Sequence, residues 1–174
     1  MTERKTIESA RLRLRPFQAE DVDDRYVQWL NDPHINQFLE SRFAEHTLES
    51  VRAYVASLWD DPTSRLYAIE AEGRHIGNIK LGAINLHHQH ANIGLFIGDR
   101  QSWGKGYATE AIQALTEHAV DMGLKKIIAG AYSVNPASVR AFERAGYLVE
   151  GRQVAQYSCQ GKRVDCILLG YVAD

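Results

Sequence analysis

From Leu66 onward the spacing of apolar residues switches between a period of two and a helical period, and the order of those switches restricts the chain to a mixed sheet. Leu66-Tyr67-Ala68-Ile69, His75 to Leu86 and Ala91 to Gly98 are three strand-like runs in close succession. Glu72-Gly73-Arg74 between the first two reads as a tight hairpin. Short turns between successive strands imply antiparallel pairing. A helical stripe then follows: Ala108, Ala111, Ile112, Leu115, Ala119 and Met122, stopped at Gly123. Lys126 to Ser133 returns to strand character, and strand–helix–strand requires a parallel pair. Asn135-Pro136 opens another helix, carrying Val139, Phe142 and Ala145 and ending at Gly146. Two closing strands, about Leu148 to Cys159 and Arg163 to Val172, flank a turn at Gly161.

The N-terminal third is simpler. Arg11-Leu12-Arg13-Leu14-Arg15 alternates and suits an opening strand. Ala19-Glu20-Asp21 begins a helix with Val22, Tyr26, Trp29 and Leu30 on one stripe, and acids in its first turn suit the macrodipole. Thr47 caps a second helix bearing Val51, Val55 and Leu58. The fold class expected is therefore α/β: a mixed, mostly antiparallel sheet with one parallel β-α-β step and helices on both faces. At about 150 residues per domain, 174 residues make one domain spanning residues 1–174.

Composition excludes several classes of function. Twenty Lys+Arg against 22 Asp+Glu give a net charge of −2, which supplies no steering toward nucleic acid or an anionic membrane. No apolar run approaches the roughly 18 residues that cross a bilayer. No charged-and-apolar leader opens the chain, so a cytoplasmic protein is expected. CxxC and HExxH are absent, and no metal is expected; His87, His88 and His90 cluster without ligand partners at metal spacing. Cys159 and Cys166 either face each other across a hairpin or stand as buried free thiols, the commoner state in such a chain.

Chemistry concentrates in Gln101-Ser102-Trp103-Gly104-Lys105-Gly106-Tyr107-Ala108, between a strand and an amphipathic helix. Two glycines admit close approach of a ligand, and amides at a helix start carry partial positive charge, the physics of a diphosphate cradle. The Walker pattern is absent, and Thr109 stands where GxGxxG needs its third glycine.

Gln101-x-x-Gly104-x-Gly106 resembles the (Gln/Arg)-x-x-Gly-x-(Gly/Ala) motif of the GNAT superfamily of acyl-coenzyme A-dependent N-acyltransferases. Asn135-Pro136-Ala137-Ser138 through Ala145-Gly146-Tyr147 is similar to that family's second signature, an Asn-initiated helix ending in Gly-aromatic. Arg11 to Pro16 and Trp29-Leu30-Asn31-Asp32-Pro33 resemble the branch containing ribosomal-protein N-terminal acetyltransferases. The resemblance implies acetyl-coenzyme A as co-substrate. Amides around Gly104, Lys105, Gly106, Tyr107 and Ala108 would hold its diphosphate, bordered by Gln101 and Ser102. Asn135 would lie near the pantetheine or thioester, and Phe142 along the coenzyme. The strand Ala91–Gly98, beside a splayed gap from Lys126–Ser133, would offer backbone groups to the pantetheine and acyl carbonyl.

Two positions depart from the family's pattern. Phe142 stands where many members carry the Tyr that protonates the departing thiolate, and Asn92 stands near their general-base Glu. Ser138 is the candidate proton donor in their place, with exposed helix surface as its other reading. Asn135 serves as helix cap, as ligand contact, or as both. His88 and His90 are either the source of a base or a solvent-exposed turn. A thiol with pKa about 8.5 leaves readily without help. An α-amine of pKa about 7.7–8.0 is roughly 10–15% neutral at pH 7, while lysine is neutral in roughly one molecule in 2,500. A site poor in bases therefore favours a low-pKa amine such as a peptide N-terminus. The alternatives are a nucleotide-linked amino sugar, a polyamine or an antibiotic, or, in another class, a non-catalytic acyl-coenzyme A sensor. The acceptor is left to the N-terminal helices and nearby loops. A homodimer is compatible with the strand-rich C-terminus.

Overall fold

A computed structural model describes residues 4–174. Eight strands form one sheet in the order β1-β2-β3-β4-β5-β6-β8-β7. They are β1 (Ile7–Glu8), β2 (Leu12–Pro16), β3 (Arg65–Ala71), β4 (Arg74–Asn85), β5 (His90–Ile97), β6 (Lys126–Tyr132), β7 (Leu148–Cys159) and β8 (Lys162–Val172). Every pairing is antiparallel except β5 with β6. The β3–β4 hairpin turns at Glu72 and Gly73, whose φ values of 52° and 72° are the two successive left-handed residues that match the strands' twist.

The helices are α1 (Asp24–Asn31), α2 (Pro33–Asn36), α3 (Leu48–Asp60), α4 (Tyr107–Asp121) and α5 (Pro136–Arg144). The expected helix from Ala19 is instead a single 3-10 turn, Ala19–Asp21, followed by α1. The reason lies in where the acids are spent. Asp21 accepts the Gln18 amide and pairs with Arg15, which closes the short turn, and Asp23 caps α1 through the Tyr26 amide at 2.8 Å. Thr47 caps α3 as expected, in a reciprocal box with Ser50. β1, α2 and a 3-10 turn at Glu40–Phe43 carry too few residues for a period to register and were not foreseen.

Strand alternation sorts the core into two layers. Leu14, Tyr67, Ile69, Ile79, Leu81, Ile127 and Ala129 point toward α4 and α5, meeting Ile112, Leu115 and Phe142. Leu66, Ala68 and Phe96 point the other way, toward α1 and α3, meeting Tyr26, Trp29, Val51 and Val55. Within this second layer the His75 ring lies 5.1–5.9 Å from the rings of Phe17, Tyr26 and Trp29. Burial pushes its pKa down, against a 2.8 Å hydrogen bond with Asn78 Oδ1. Trp29 is a core residue: its ring lies where a Cβ on Gly98 would stand, so that position admits only glycine. Cys159 and Cys166 are both buried free thiols, opposite Lys162 and Gln153 respectively rather than each other.

The parallel β5–β6 ladder contains only three pairs, His90–Lys126, Ala91–Ile127 and Asn92–Ile128. Beyond them β5 stays with β4 and β6 with β8, so the sheet opens into a V at the C-terminal ends of both strands.

Candidate functional site

One arm of the V, β5, leads directly into the glycine loop. Asp99 starts a 3-10 turn, accepting from the Gln101 amide and from Ser102 Oγ at 2.7 Å. Trp103 Nε1 donates to the Ile97 carbonyl at 2.8 Å, anchoring the loop to the end of its strand. Gly104 and Gly106 follow with φ of 73° and 80°, and a Cβ on Gly104 would meet nothing within 4 Å. These left-handed residues turn the chain so that α4 starts at Tyr107 with Gly106 as its cap and no side chain bonded to the first turn. The first backbone bond into the helix is from Glu110 to Gly106, so the amides of Tyr107, Ala108 and Thr109 have no intrahelical acceptor. A row of N–H groups free of intrahelical bonds at the positive end of a 15-residue helix, open over Gly104 and with the Arg11 guanidinium beside Gly106, suits an anionic diphosphate.

The side chains nominated here do not all face outward. Gln101 and Lys105 are exposed, whereas Ser102 is 3% exposed and committed to Asp99. Tyr107 is packed into the α4 core. Phe142 is also buried, edge-to-face with Tyr147 at 5.1 Å.

The other arm, β6, leads into α5. Asn135 caps that helix through a 3.3 Å bond from the Ser138 amide, and its own amide donates to the Tyr132 carbonyl at 2.8 Å. Asn135 and Ser138 are both half-buried, close to the mouth of the V. Asn92 is exposed on the α1–α3 face at the last paired rung. His90 lies at the closed end of the ladder, and His88 is exposed in the turn before it, stacked 6.1 Å from His90.

Two groups of residues at this site have no motif to announce them. Arg11 reads in the sequence as a strand charge, yet it braces the glycine loop. Its Nη1 donates to the Lys105 carbonyl at 2.9 Å, its Nε to Glu110 at 2.7 Å, and its guanidinium lies 4.8 Å over the Tyr107 ring. Burial raises the Glu110 pKa, but the Arg11 and Ser9 hydrogen bonds outweigh it and hold the carboxyl below its usual value. The second group joins the Glu40–Phe43 turn to the end of β6. The Tyr132 hydroxyl donates to Glu40, 92 residues away, and receives a 2.8 Å bond from Arg42 Nη1. Arg42 also donates to the Leu39 and Ser158 carbonyls, both at 2.8 Å, tying the turn to the β7–β8 hairpin. Tyr132 stacks on Tyr157 at 4.1 Å. Burial first, then the Glu40 hydrogen bond, raise the Tyr132 phenol above its usual pKa.

Comparison with known proteins agrees with this geometry. Residues 11–148 match the acetyltransferase (GNAT) domain. The spermidine N(1)-acetyltransferase of Vibrio cholerae is 26% identical over 162 residues, 90% of each chain. Among solved structures, a ribosomal L7/L12 alpha-N-protein acetyltransferase in complex with coenzyme A superposes with a TM-score of 0.86. It is 20% identical, over 98% of this chain and 99% of that one. Spermidine N-acetyltransferase from Vibrio cholerae in complex with coenzyme A and spermine gives 0.84 at 22% identity, over 94% and 96%. The chain belongs to the GNAT acetyltransferase family, and is an N-acetyltransferase that uses acetyl-coenzyme A as co-substrate.

Proposed function

We propose that this enzyme acetylates a low-pKa primary amine, foremost the α-amine of a protein or peptide, by direct attack within a ternary complex. The observation that carries the choice of acceptor is the charge of the α1–α3 face of the opened sheet. Among the side chains that β4, β5 and β6 direct there, the charged ones are Lys80 and Lys126, both cations. Lys80 bonds the Tyr54 hydroxyl at 3.3 Å, and Lys126 is paired with Glu150. The Asp21, Asp23 and Asp24 cluster is no acidic pocket, since the first two close a turn and cap a helix. Spermidine, the acceptor named for relatives at 25–26% identity, carries several positive charges and would meet the Lys80 cation here. An α-amine needs little help in losing its proton, which suits a site with Asn92 and Phe142 at the family's base and acid positions.

The residues fit the co-substrate. The free amides from Gly104 to Ala108 would bind the diphosphate, with the Arg11 guanidinium and Lys105 adding positive charge beside it and Gln101 at its border. Ser102 would act from within, by holding the Asp99 turn. The open edge of β5 would receive the pantetheine, and Asn135 and Ser138 would flank the sulfur, where Ser138 Oγ could return a proton to the leaving thiolate. Phe142 would shape this wall from behind without proton chemistry. The reading includes a single catalytic domain over residues 1–174, a cytoplasmic setting, and a homodimer through the β7 side. There Leu148, Val149 and Val154 are 52–79% exposed along an edge strand.

The test is release of free coenzyme A from acetyl-coenzyme A against a panel of peptides, amino sugars, spermidine and Nα-blocked lysine. The highest kcat/KM is expected with an unblocked peptide. A higher value with spermidine or the lysine side chain would overturn the choice of acceptor.

A further inference from the structure

The Glu40–Arg42–Tyr132 cluster stands where an acceptor must pass. Tyr132 is the last residue of β6, four residues past the last rung of the β5–β6 ladder, which is about 13 Å along the strand. Its side chain follows Ile128 and Gly130 on the α1–α3 face, while Leu39 to Phe43 lie across the end of the same arm. At its other end, through the carbonyl, Tyr132 holds the Asn135 amide. The cluster and the α5 cap therefore meet at one residue.

Within the cluster the hydrogen bonds are unevenly used. Arg42 is nearly buried, at 13% side-chain exposure, and three carbonyl or hydroxyl oxygens take its donors. Glu40 is 68% exposed and is held through one oxygen, Oε1, which takes the Tyr132 hydrogen bond and lies 3.9 Å from Arg42. Its other oxygen, Oε2, has no hydrogen-bond partner among the described residues. A carboxylate aimed by one oxygen and open at the other is ready for one N–H donor. Its charge is already offset by a fixed guanidinium, and Lys80 stands on the same face. One ammonium is accommodated there, whereas a second cation on the same ligand meets repulsion.

We propose that Glu40 receives the acceptor amine through its free oxygen, and that Arg42 acts as a specificity residue that rejects polycations. Tyr132 is the positioning residue that fixes the Glu40 rotamer. This assignment rests on the amine-acetylating function proposed above, and deepens it to amines without a second cation nearby. Arg42 also makes the β7–β8 hairpin part of the acceptor site, since its bond to the Ser158 carbonyl spans 116 residues.

The experiment compares kcat/KM for an uncharged-side-chain peptide and for spermidine, in wild type and in Glu40→Gln, Arg42→Gln and Tyr132→Phe. Acetyl-coenzyme A binding and thermal melting serve as controls for folding. Glu40→Gln is expected to raise KM for the peptide about tenfold with kcat and coenzyme affinity nearly unchanged, the loss of one charge-assisted hydrogen bond. Arg42→Gln is expected to raise the spermidine-to-peptide ratio about tenfold, a gain that general damage to the loop would not produce. Tyr132→Phe is expected to shift peptide KM in the direction of Glu40→Gln, by less. Equal ratios in wild type and Arg42→Gln, or an unchanged peptide KM in Glu40→Gln, would overturn the assignment while leaving the proposed function standing. A wild-type enzyme that prefers spermidine would overturn both. If Arg42→Gln melts early, Arg42→Lys keeps the charge and must keep the wild-type ratio; a shifted ratio there also overturns the assignment.

Discussion

The two arms of the opened sheet end in sites built from different materials. At the end of β5 the groups proposed to bind the co-substrate are backbone amides, presented by two left-handed glycines and a helix start within eight consecutive residues, Gln101 to Ala108. At the end of β6 the groups proposed for the acceptor are side chains, Glu40 and Arg42 from one turn, Tyr132 from β6 and Tyr157 from β7, brought together from three separate segments. A backbone site tolerates changes in its side chains but fails if the path of the chain changes. A side-chain site can be retuned one residue at a time on an unchanged path. The first suits a group common to every turnover, and the second suits an acceptor that differs among relatives.

Substitutions on the two arms sharpen that contrast. The largest effect is expected from Gly106→Asp, whose Cβ would stand 3.5 Å from the Arg11 guanidinium and whose carboxylate would bring negative charge to the place proposed for phosphate. Loss of one or two charge-assisted hydrogen bonds at about 1.5–3 kcal/mol each would weaken acetyl-coenzyme A roughly 100-fold by calorimetry, with the melting profile of the fold retained. Retained affinity would break the assignment of the cradle. Arg11→Ala removes the brace on the Lys105 carbonyl and a nearby cation, and a roughly tenfold rise in KM for acetyl-coenzyme A at unchanged peptide KM is expected from steady-state kinetics. A shift in peptide KM instead would mean the arms are not independent. Ser138→Ala should lower kcat by about tenfold with coenzyme affinity intact, and an unchanged rate would return Ser138 to plain helix surface.

The smallest effect belongs to the fold beneath both arms. Burial depresses the His75 pKa in the native state, so the unfolded chain binds more protons below the ordinary histidine value of about 6.5. Stability is therefore fully present above that pH and is lost as pH falls through the native pKa. His118, also depressed by burial, adds in the same direction. Melting temperatures measured from about pH 7 down to pH 5 should fall in wild type and fall less steeply in His75→Gln.

The same difference in materials decides how much could be read from the sequence. Glycines at 104 and 106, an Asn-Pro start at 135 and the strand–helix–strand order are local signals, so the parallel step, the loop and the α5 cap were all legible. Thr47 was legible as a cap because its partner, Ser50, is three residues away. Glu40 and Tyr132 were not, since a pairing across 92 residues leaves no spacing to read. Arg11 was recognised as part of an alternating strand, but its partners at Lys105 and Glu110 lie 94 and 99 residues on. The start of α1 reads too early in the sequence because Glu20 and Asp21, with Asp23 and Asp24 just beyond, look like a single helix start; Asp21 is drawn to Arg15 across the turn, and Asp23 is left to cap α1.

The short β5–β6 ladder gives the sheet a third margin. β1 and β7 are its outer margins, and from Ile93 to Ile97 the flank of β5 turned toward β6 is an inner one, with no ladder partner among the described residues. A bound extended amide chain would complete the sheet there, as another strand would. Ligand occupancy should therefore be visible as slowed amide hydrogen exchange confined to this seam, and any extended peptide able to enter it would compete with the co-substrate for the same hydrogen bonds.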